Sequence, residues 1–412
     1  MTKASAGNPL PSTLRVPLAS SGLEAEDINA VIETLHSNAL TMGERVRAFE
    51  KEMSQYLGAK HFVMMNSGSS ANLAIIEALL RPAKGAPKLL PGDGILVPAI
   101  AWPTTIWPIV QLGLRPVFVD IDPETIMIDL KAAEDIVRSS DLRIRGIFPI
   151  HPLGRAMNPD VLRSFCDAHS LVLISDVCEA LGSWDGGIHA GMSSLAASFS
   201  FYFSHHITTM EGGGVATNDQ NIADDLRSIR SHGWSRDRSD AKEWATTTND
   251  INSRFLFVSA GYNIRPMEIQ AALGLGQIKR INSYIDRRRN IATCVNDALR
   301  NTKLRLMGSD TLASNPQSHS WMLLPIQAIS SEVAQQALEF LEAAGVETRP
   351  ILTGNFTAQP SLQRILGTSV NPRNFAQANF VTSTSFMVGC HHHFTDDQVA
   401  YLAQSLHNAC NL

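Results

Sequence analysis

Apolar positions between residues 23 and 57 recur at helical spacing: Ile28, Val31, Ile32 and Leu35, then Val46, Phe49 and Met53, with a break near Asn38–Gly43. From about residue 60 to 220 the pattern changes. Short apolar runs (HFVMMN, GILVPAI, RPVFVDI, IRGIFPI, LVLISDV, SFSFYF and GVATND) alternate with helical stretches and are bounded by Gly, Pro and Asp. That alternation predicts an α/β architecture, a mostly parallel sheet flanked by helices on both faces. Helical spacing dominates again from about 265 to 300. HSWMLLPIQ then reads as a strand, EVAQQALEFLEAAG as a helix ended by Gly345, and DQVAYLAQSLHN as a closing helix. The chain is expected to divide into an N-terminal arm (1–20), a large domain (21–285) and a smaller C-terminal α/β domain (286–412).

Composition narrows the function. A net charge of −5 leaves no broad basic field, which argues against nucleic acid as a partner. The five cysteines, at 166, 178, 294, 390 and 410, form no CxxC or CxC pair, so neither a disulfide framework nor a thiolate-held metal cluster is expected. No apolar run approaches the roughly 18 residues that would span a bilayer. The first residues, MTKASAGNPLPSTLRVP, lack the apolar core of a signal peptide and read as a flexible arm, so cytoplasmic residence is expected.

In open α/β sheets the chemistry gathers at the carboxyl ends of strands, and three polar motifs fall there. In Asn66-Ser67-Gly68-Ser69-Ser70-Ala71-Asn72, small residues at a strand–helix junction let N–H groups converge on an anion. Plain helix capping by Ser is the other reading. The run LVLISDVCEALGSWDG ends a strand in Asp176, whose carboxylate could pair with a protonated ring nitrogen or cap the next turn. The third, SFSFYFSHHITTMEGGG, leaves a strand through two adjacent histidines that should point to opposite sides, which disfavours a shared metal and leaves one histidine facing the pocket. The run Cys390-His391-His392-His393 has no metal-ligand spacing and is expected to be a surface loop.

NSGSSANL, PAIAWPTT, ISDVCEALGS, FSFYFSHH…EGG and GYNIRPMEIQAALG, in this order from residue 66 to about 276, resemble the sugar aminotransferase family that acts on nucleotide-linked keto-sugars. That family is a branch of the aspartate-aminotransferase fold, the pyridoxal-phosphate-dependent transferases of fold type I. Its aminotransferases carry, after FSFY, a lysine that binds the cofactor as a Schiff base. Here the position is His205, and no lysine lies between Lys131 and Lys242. The cofactor should then be held non-covalently, cycling between pyridoxal and pyridoxamine 5′-phosphate. The subgroup with this histidine consists of 3-dehydratases that make 3,6-dideoxyhexoses. Its iron–sulfur branch needs closely spaced cysteines that are missing from residues 236–261. The resemblance therefore implies the cluster-free branch, which acts on GDP-4-keto-6-deoxy-D-mannose and draws its amine from L-glutamate.

By the same resemblance, His205 serves as acid and base, and Asp176 holds the ring nitrogen. Gly68, Ser69 and Ser200 contact the phosphate, Trp102 stacks on the ring, and Glu179 lies near its phenolic oxygen. Asn263 reaches the neighbouring subunit's phosphate, implying a homodimer with shared sites, while His206 is structural and no metal is used. A nucleotide-sugar aminotransferase and a non-catalytic regulatory or scaffold homologue are the rival readings; retention of Asp176, Ser200, Trp102 and Asn263 argues against the second.

Overall fold

Seven strands make the larger sheet: β1 (His61–Met65), β2 (Gly94–Pro98), β3 (Arg115–Val119), β4 (Ile144–Ile147), β5 (Val172–Asp176), β6 (Ala196–Ser200) and β7 (Gly213–Thr217). The computed structural model describes residues 14–20, 22–248, 251–367 and 370–410. The spatial order is β1-β7-β6-β5-β4-β2-β3. Pairing is parallel from β3 to β6, and only β7 runs against its neighbours, β6 and β1. This is the mostly parallel mixed sheet that the alternating runs predict. Both β2 and β7 are buried along their whole length, as expected of strands covered on two faces.

Helices α1 (Ala25–His36) and α2 (Glu44–Leu57) precede β1. The break between them is a backbone turn in which Asn38 (φ 57°) and Met42 (φ 53°) adopt the left-handed region. Helix α3 (Gly68–Leu80) follows β1, and α4 (Pro103–Gln111) follows β2. Ala71, Ala74, Ile75, Ile76, Ala78 and Leu79 of α3 are all buried in the main core, together with Val63 of β1 and Val215 of β7. Helix α3 is therefore apolar on most of its circumference.

After α5 (Glu268–Ile278), the long α6 (Ile281–Ala298) spans two cores. Its first turns, Ile281, Tyr284 and Ile285, pack with α2 against the large sheet. Its later turns, Ile291, Ala292 and Val295, pack on a second sheet. That sheet is wholly antiparallel, in the order β8 (Leu304–Leu306), β9 (Leu323–Ala328), β11 (Ser385–Gly389), β10 (Thr348–Pro350). Strand β9 starts at Leu323 and not at His319, because Trp321 takes φ 52° and stacks its ring on His319 at 3.6 Å. The helix after β9 stops before Gly345, at φ 74°.

Residues 1–13 of the expected arm lie outside the described residues. Arg15 and Val16 donate backbone hydrogen bonds to the Gly345 carbonyl at 2.9 and 3.1 Å, and Glu347 donates to Val16 at 2.9 Å. Residues 15–16 are thus tied to the small sheet, and this part of the arm is not free. Among the described residues no helix is long and apolar enough to cross a membrane.

Candidate active site

The carboxyl ends of β1, β2, β5 and β6 open on one edge of the large sheet, and most of the residues singled out above collect there. Asp176 ends β5 with its side chain buried. Its Oδ2 accepts from Asn72 Nδ2 and from Thr105 Oγ1, each at 2.8 Å, and its Oδ1 accepts the Cys178 N–H at 3.1 Å. The Asp176 carboxylate is therefore both a cap for the next turn and the centre of a fixed polar network. Asn72 belongs to α3 and Thr105 to α4, so two helices aim the carboxylate.

Helix α3 starts close against the sheet. Its N-cap is Ser67, whose hydroxyl accepts the Ser70 N–H at 3.1 Å. A Cβ on Gly68 would lie 2.6 Å from Ser200 Cβ and 3.0 Å from Cys178 Sγ. A Cβ on Gly213 would lie 2.3 Å from the Gly68 nitrogen. The two glycines let the helix start, Ser200 and β7 touch, while Ser69 faces solvent.

His205 and His206 do not continue the strand. β6 ends at Ser200, and the chain turns so that the His205 N–H donates to the Tyr202 carbonyl at 3.0 Å. His206 goes inward and is 1% exposed, whereas His205 stays at the partly open edge. His205 Nδ1 is buried and has no partner among the described residues. Burial pushes the His205 imidazole down to about 4, and the positive charge of Arg288 adds to the shift. A neutral imidazole at physiological pH is a proton acceptor.

The loop that carries His205 is closed on itself and pinned from behind. Phe201 N–H donates to the Gly212 carbonyl and Thr209 N–H to the Phe201 carbonyl, each at 2.9 Å. From α5, Gln277 accepts the Thr208 N–H at 2.8 Å and donates to the Thr208 carbonyl at 2.6 Å. Gln270, two turns earlier on the same face, donates to the Glu211 carbonyl.

The other named residues are placed differently. Trp102 caps α4 and is 55% exposed, so it is not a core tryptophan. Glu179 is half-buried, and its Oε2 accepts the Leu153 N–H at 2.9 Å. Burial pushes the Glu179 carboxyl up to about 7; the Leu153 hydrogen bond opposes the shift and the Asp176 charge adds to it. Asn263 is exposed and accepts from Arg265 Nε at 3.0 Å, but its neighbour Ile264 receives the Asn66 N–H at 3.0 Å, which ties this segment to the site's edge.

The expected surface loop at Cys390–His393 is a correction. Cys390 and His391 are buried, and only His393 is exposed. The His392 ring stacks on Tyr284 of α6 at 3.7 Å, and His391 Nδ1 meets Ser20 Oγ at 2.9 Å. The turn is covered because α6 and the N-terminal segment both cross it.

Residues 22–407 match the DegT/DnrJ/EryC1/StrS aminotransferase family. The chain belongs to this family. Within it, the chain is 34% identical over 395 residues to GDP-4-keto-6-deoxy-D-mannose 3-dehydratase of Escherichia coli O55:H7, covering 95% of this chain and 100% of that one. A solved E. coli GDP-4-keto-6-deoxy-D-mannose 3-dehydratase with bound hydrated pyridoxal phosphate superposes with a TM-score of 0.86 at 32% identity, covering 95% of this chain and 99% of that chain. A histidine-to-asparagine mutant of GDP-4-keto-6-deoxymannose 3-dehydratase with bound GDP-perosamine gives the same TM-score at 33% identity, with 95% and 100% covered. The fold of the aspartate-aminotransferase branch follows from these likenesses.

Reading the sequence missed Asn72, Thr105 and Gln277 as members of the site. Their signal was present. Each is a polar residue inside a mostly apolar helical run (ANLAIIEALL, WPTTIWP, AALGLGQI), where a buried partner offsets the cost of desolvation.

Proposed function

We propose that this family member removes the C-3 hydroxyl of a nucleotide-linked 4-keto-6-deoxyhexose, GDP-4-keto-6-deoxy-D-mannose, with L-glutamate as amine donor and pyridoxal/pyridoxamine 5′-phosphate as cofactor. The observation that carries this is His205 standing in the loop after β6 with no lysine between Lys131 and Lys242. The donor set fits the cofactor: a carboxylate aimed by two helices, a glycine-lined helix start beside a serine, and an exposed indole at the rim. When bound, the cofactor supplies a primary amine and an electron-withdrawing ring.

The chain's own residues do the rest. Asp176, held by Asn72 and Thr105, would pair with the cofactor's ring nitrogen. The N–H groups at the start of α3, with Ser69 and Ser200, would hold its phosphate. Trp102 and Glu179 would hold its ring. Neutral His205 takes a proton from carbon and, as imidazolium, returns it to the departing C-3 hydroxyl as water. Per turnover, glutamate is oxidised by two electrons to 2-oxoglutarate, and the sugar is reduced by two as the C–O bond is replaced by C–H. Nitrogen leaves as ammonia.

The enzyme works as a homodimer in this reading, in the cytoplasm. Trp102, Tyr202, Phe203 and Met210 all stand exposed around the site in one copy. Ile28, Ile32 and Leu35 form an exposed stripe on α1. Exposed apolar side chains around the site and on α1 suit a second copy, with Asn263 reaching across.

Borohydride reduction of the pyridoxal-loaded protein tests the assignment. Cofactor should remain dialysable after reduction, and His205→Asn should bind cofactor yet release no deoxygenated sugar. Recovery of a phosphopyridoxyl-lysine peptide in good yield, or near-normal turnover by His205→Asn, would sink it.

A further inference from the structure

Trp102 lies just beyond the carboxyl end of β2, and its indole is 55% exposed. Packing does not wedge so open a side chain in place, so the backbone on either side decides where it stands. Ahead of it α4 begins, and the Thr105 N–H donates to the Trp102 carbonyl at 3.1 Å. Behind it the chain is held by a segment that belongs with the smaller sheet. Residues 353–356, shortly after β10, meet residues 99–101 at an antiparallel bridge between Asn355 and Ile100. The Phe356 N–H donates to the Ala99 carbonyl at 2.8 Å, and Thr353 Oγ1 donates to the Ala101 carbonyl at 2.7 Å. That carbonyl belongs to the peptide whose nitrogen is Trp102's own, and a peptide group is planar. Fixing its oxygen therefore fixes the plane from which Trp102 departs.

The Thr353 side of this contact is stiff. Thr353 stands between two residues in the left-handed region, Leu352 (φ 48°) and Gly354 (φ 65°). For leucine that conformation is strained, and it persists only where surrounding contacts over-determine it. Those contacts are present. The Asn355 N–H donates to Thr382 Oγ1 and Asn355 Nδ2 to Asn379 Oδ1, each at 2.8 Å, both on the helix Ala376–Thr384. Gln359 Nε2 donates to the Thr353 carbonyl at 3.3 Å. A second tie reaches the same helix, where Asp120 accepts the Gln377 and Ala378 N–H groups at 2.9 and 2.8 Å, but it ends at no residue of the site. The Thr353 tie does. Thr105, which holds the front of Trp102, also donates to Asp176, so one polar chain runs from Thr353 past the indole to the carboxylate.

We propose that Thr353 is a positioning residue for the cofactor: its hydroxyl sets the Ala101–Trp102 peptide, and with it the indole against the cofactor ring. This rests on the reading above that Trp102 holds that ring. The segment after β10 thereby acts, through one hydroxyl, on a site built at the edge of the larger sheet.

A double-mutant cycle on the full-length apo-protein, titrated with pyridoxal phosphate, tests it. Thr353→Val removes the hydroxyl and keeps the shape, and affinity should fall about threefold to tenfold, the range of one lost hydrogen bond. The visible circular-dichroism band of the bound cofactor should weaken too, because it reports the side chains around the ring. Thr353→Ser keeps a hydroxyl and should retain both. Trp102→Ala should weaken binding and the band more strongly, and Thr353→Val added to it should change neither further. Wild-type affinity in Thr353→Val, or a loss that adds in full to that of Trp102→Ala, overturns the proposal while leaving the indole's role intact. A Trp102→Ala variant that binds like wild type with an unchanged band overturns the ring contact itself, and the proposal with it.

Discussion

Gln277 grips Thr208 from both sides, accepting its N–H at 2.8 Å and donating to its carbonyl at 2.6 Å, three residues after His205. Gln277 is fully buried and Thr208 is 3% exposed, so water cannot replace either bond. Gln277→Leu leaves two buried backbone groups unpaired, at roughly 1–3 kcal/mol each. The denaturation free energy should fall by about 2–6 kcal/mol by the same reckoning. A loss below about 0.5 kcal/mol, the range of ordinary surface changes, would show that the loop is held by something else.

Asp176 depends on its two helix partners in a similar way. Thr105→Val and Asn72→Leu each remove one 2.8 Å hydrogen bond to its Oδ2. A bond to a carboxylate is worth roughly 1.5–3 kcal/mol, so cofactor affinity should drop about tenfold or more in each variant. Titration of the apo-protein with pyridoxal phosphate reads this directly. Unchanged affinity in both would mean that Asp176 needs no aiming.

Gly213→Ala should be more damaging than its size suggests. The new methyl would sit 2.3 Å from the Gly68 nitrogen and 2.4 Å from the Ser67 carbonyl carbon, both backbone atoms. The start of α3 would have to move off the sheet, taking with it the N–H groups proposed to hold the phosphate. Thermal melting and cofactor titration should both worsen; a variant that melts and binds like the parent would show the contact to be compliant.

Much of this was legible in the sequence, and the reasons differ by element. The strands of the large sheet could be read because they are short apolar runs, most of them bounded by Gly, Pro or Asp and too short for a buried helix. Asp176 and His205 could be read because they end or follow such runs. Asn72, Thr105 and Gln277 could not, since their role depends on which helix faces which strand end, and that is set by long-range packing. The burial of the turn at Cys390–His393 is hidden from the sequence for the same reason: a polar run before a helix resembles a surface loop until α6 and Ser20 are placed over it. The two histidines do differ in placement, as expected, with His206 buried and His205 at the partly open edge, but the chain has already left β6 at Ser200, so a loop and not strand alternation separates them.

Acid should weaken the fold through its buried imidazoles. Burial holds His205 and His189 down to about 4 and His151 down to about 3, all below the ordinary value of about 6.5. Between those limits the unfolded chain binds more protons than the folded one. Their contribution is therefore complete above pH 6.5 and is lost as the pH falls toward 4. Melting temperature should decline across that window, and His189→Asn should flatten the decline. A profile level from pH 7 to pH 4.5 would contradict the burial of these rings.

On the proposed function, His205, standing where family aminotransferases keep lysine, makes this chain a glutamate-dependent 3-dehydratase. The most direct measurement supplies GDP-4-keto-6-deoxy-D-mannose and L-glutamate to the pyridoxal-phosphate-loaded enzyme and quantifies the nitrogen products in one reaction. One 2-oxoglutarate and one ammonia for each deoxygenated sugar is the expected result, with no reductase and no iron added. An amino sugar accumulating in step with 2-oxoglutarate, with ammonia absent, would contradict it and leave an aminotransferase on the same fold.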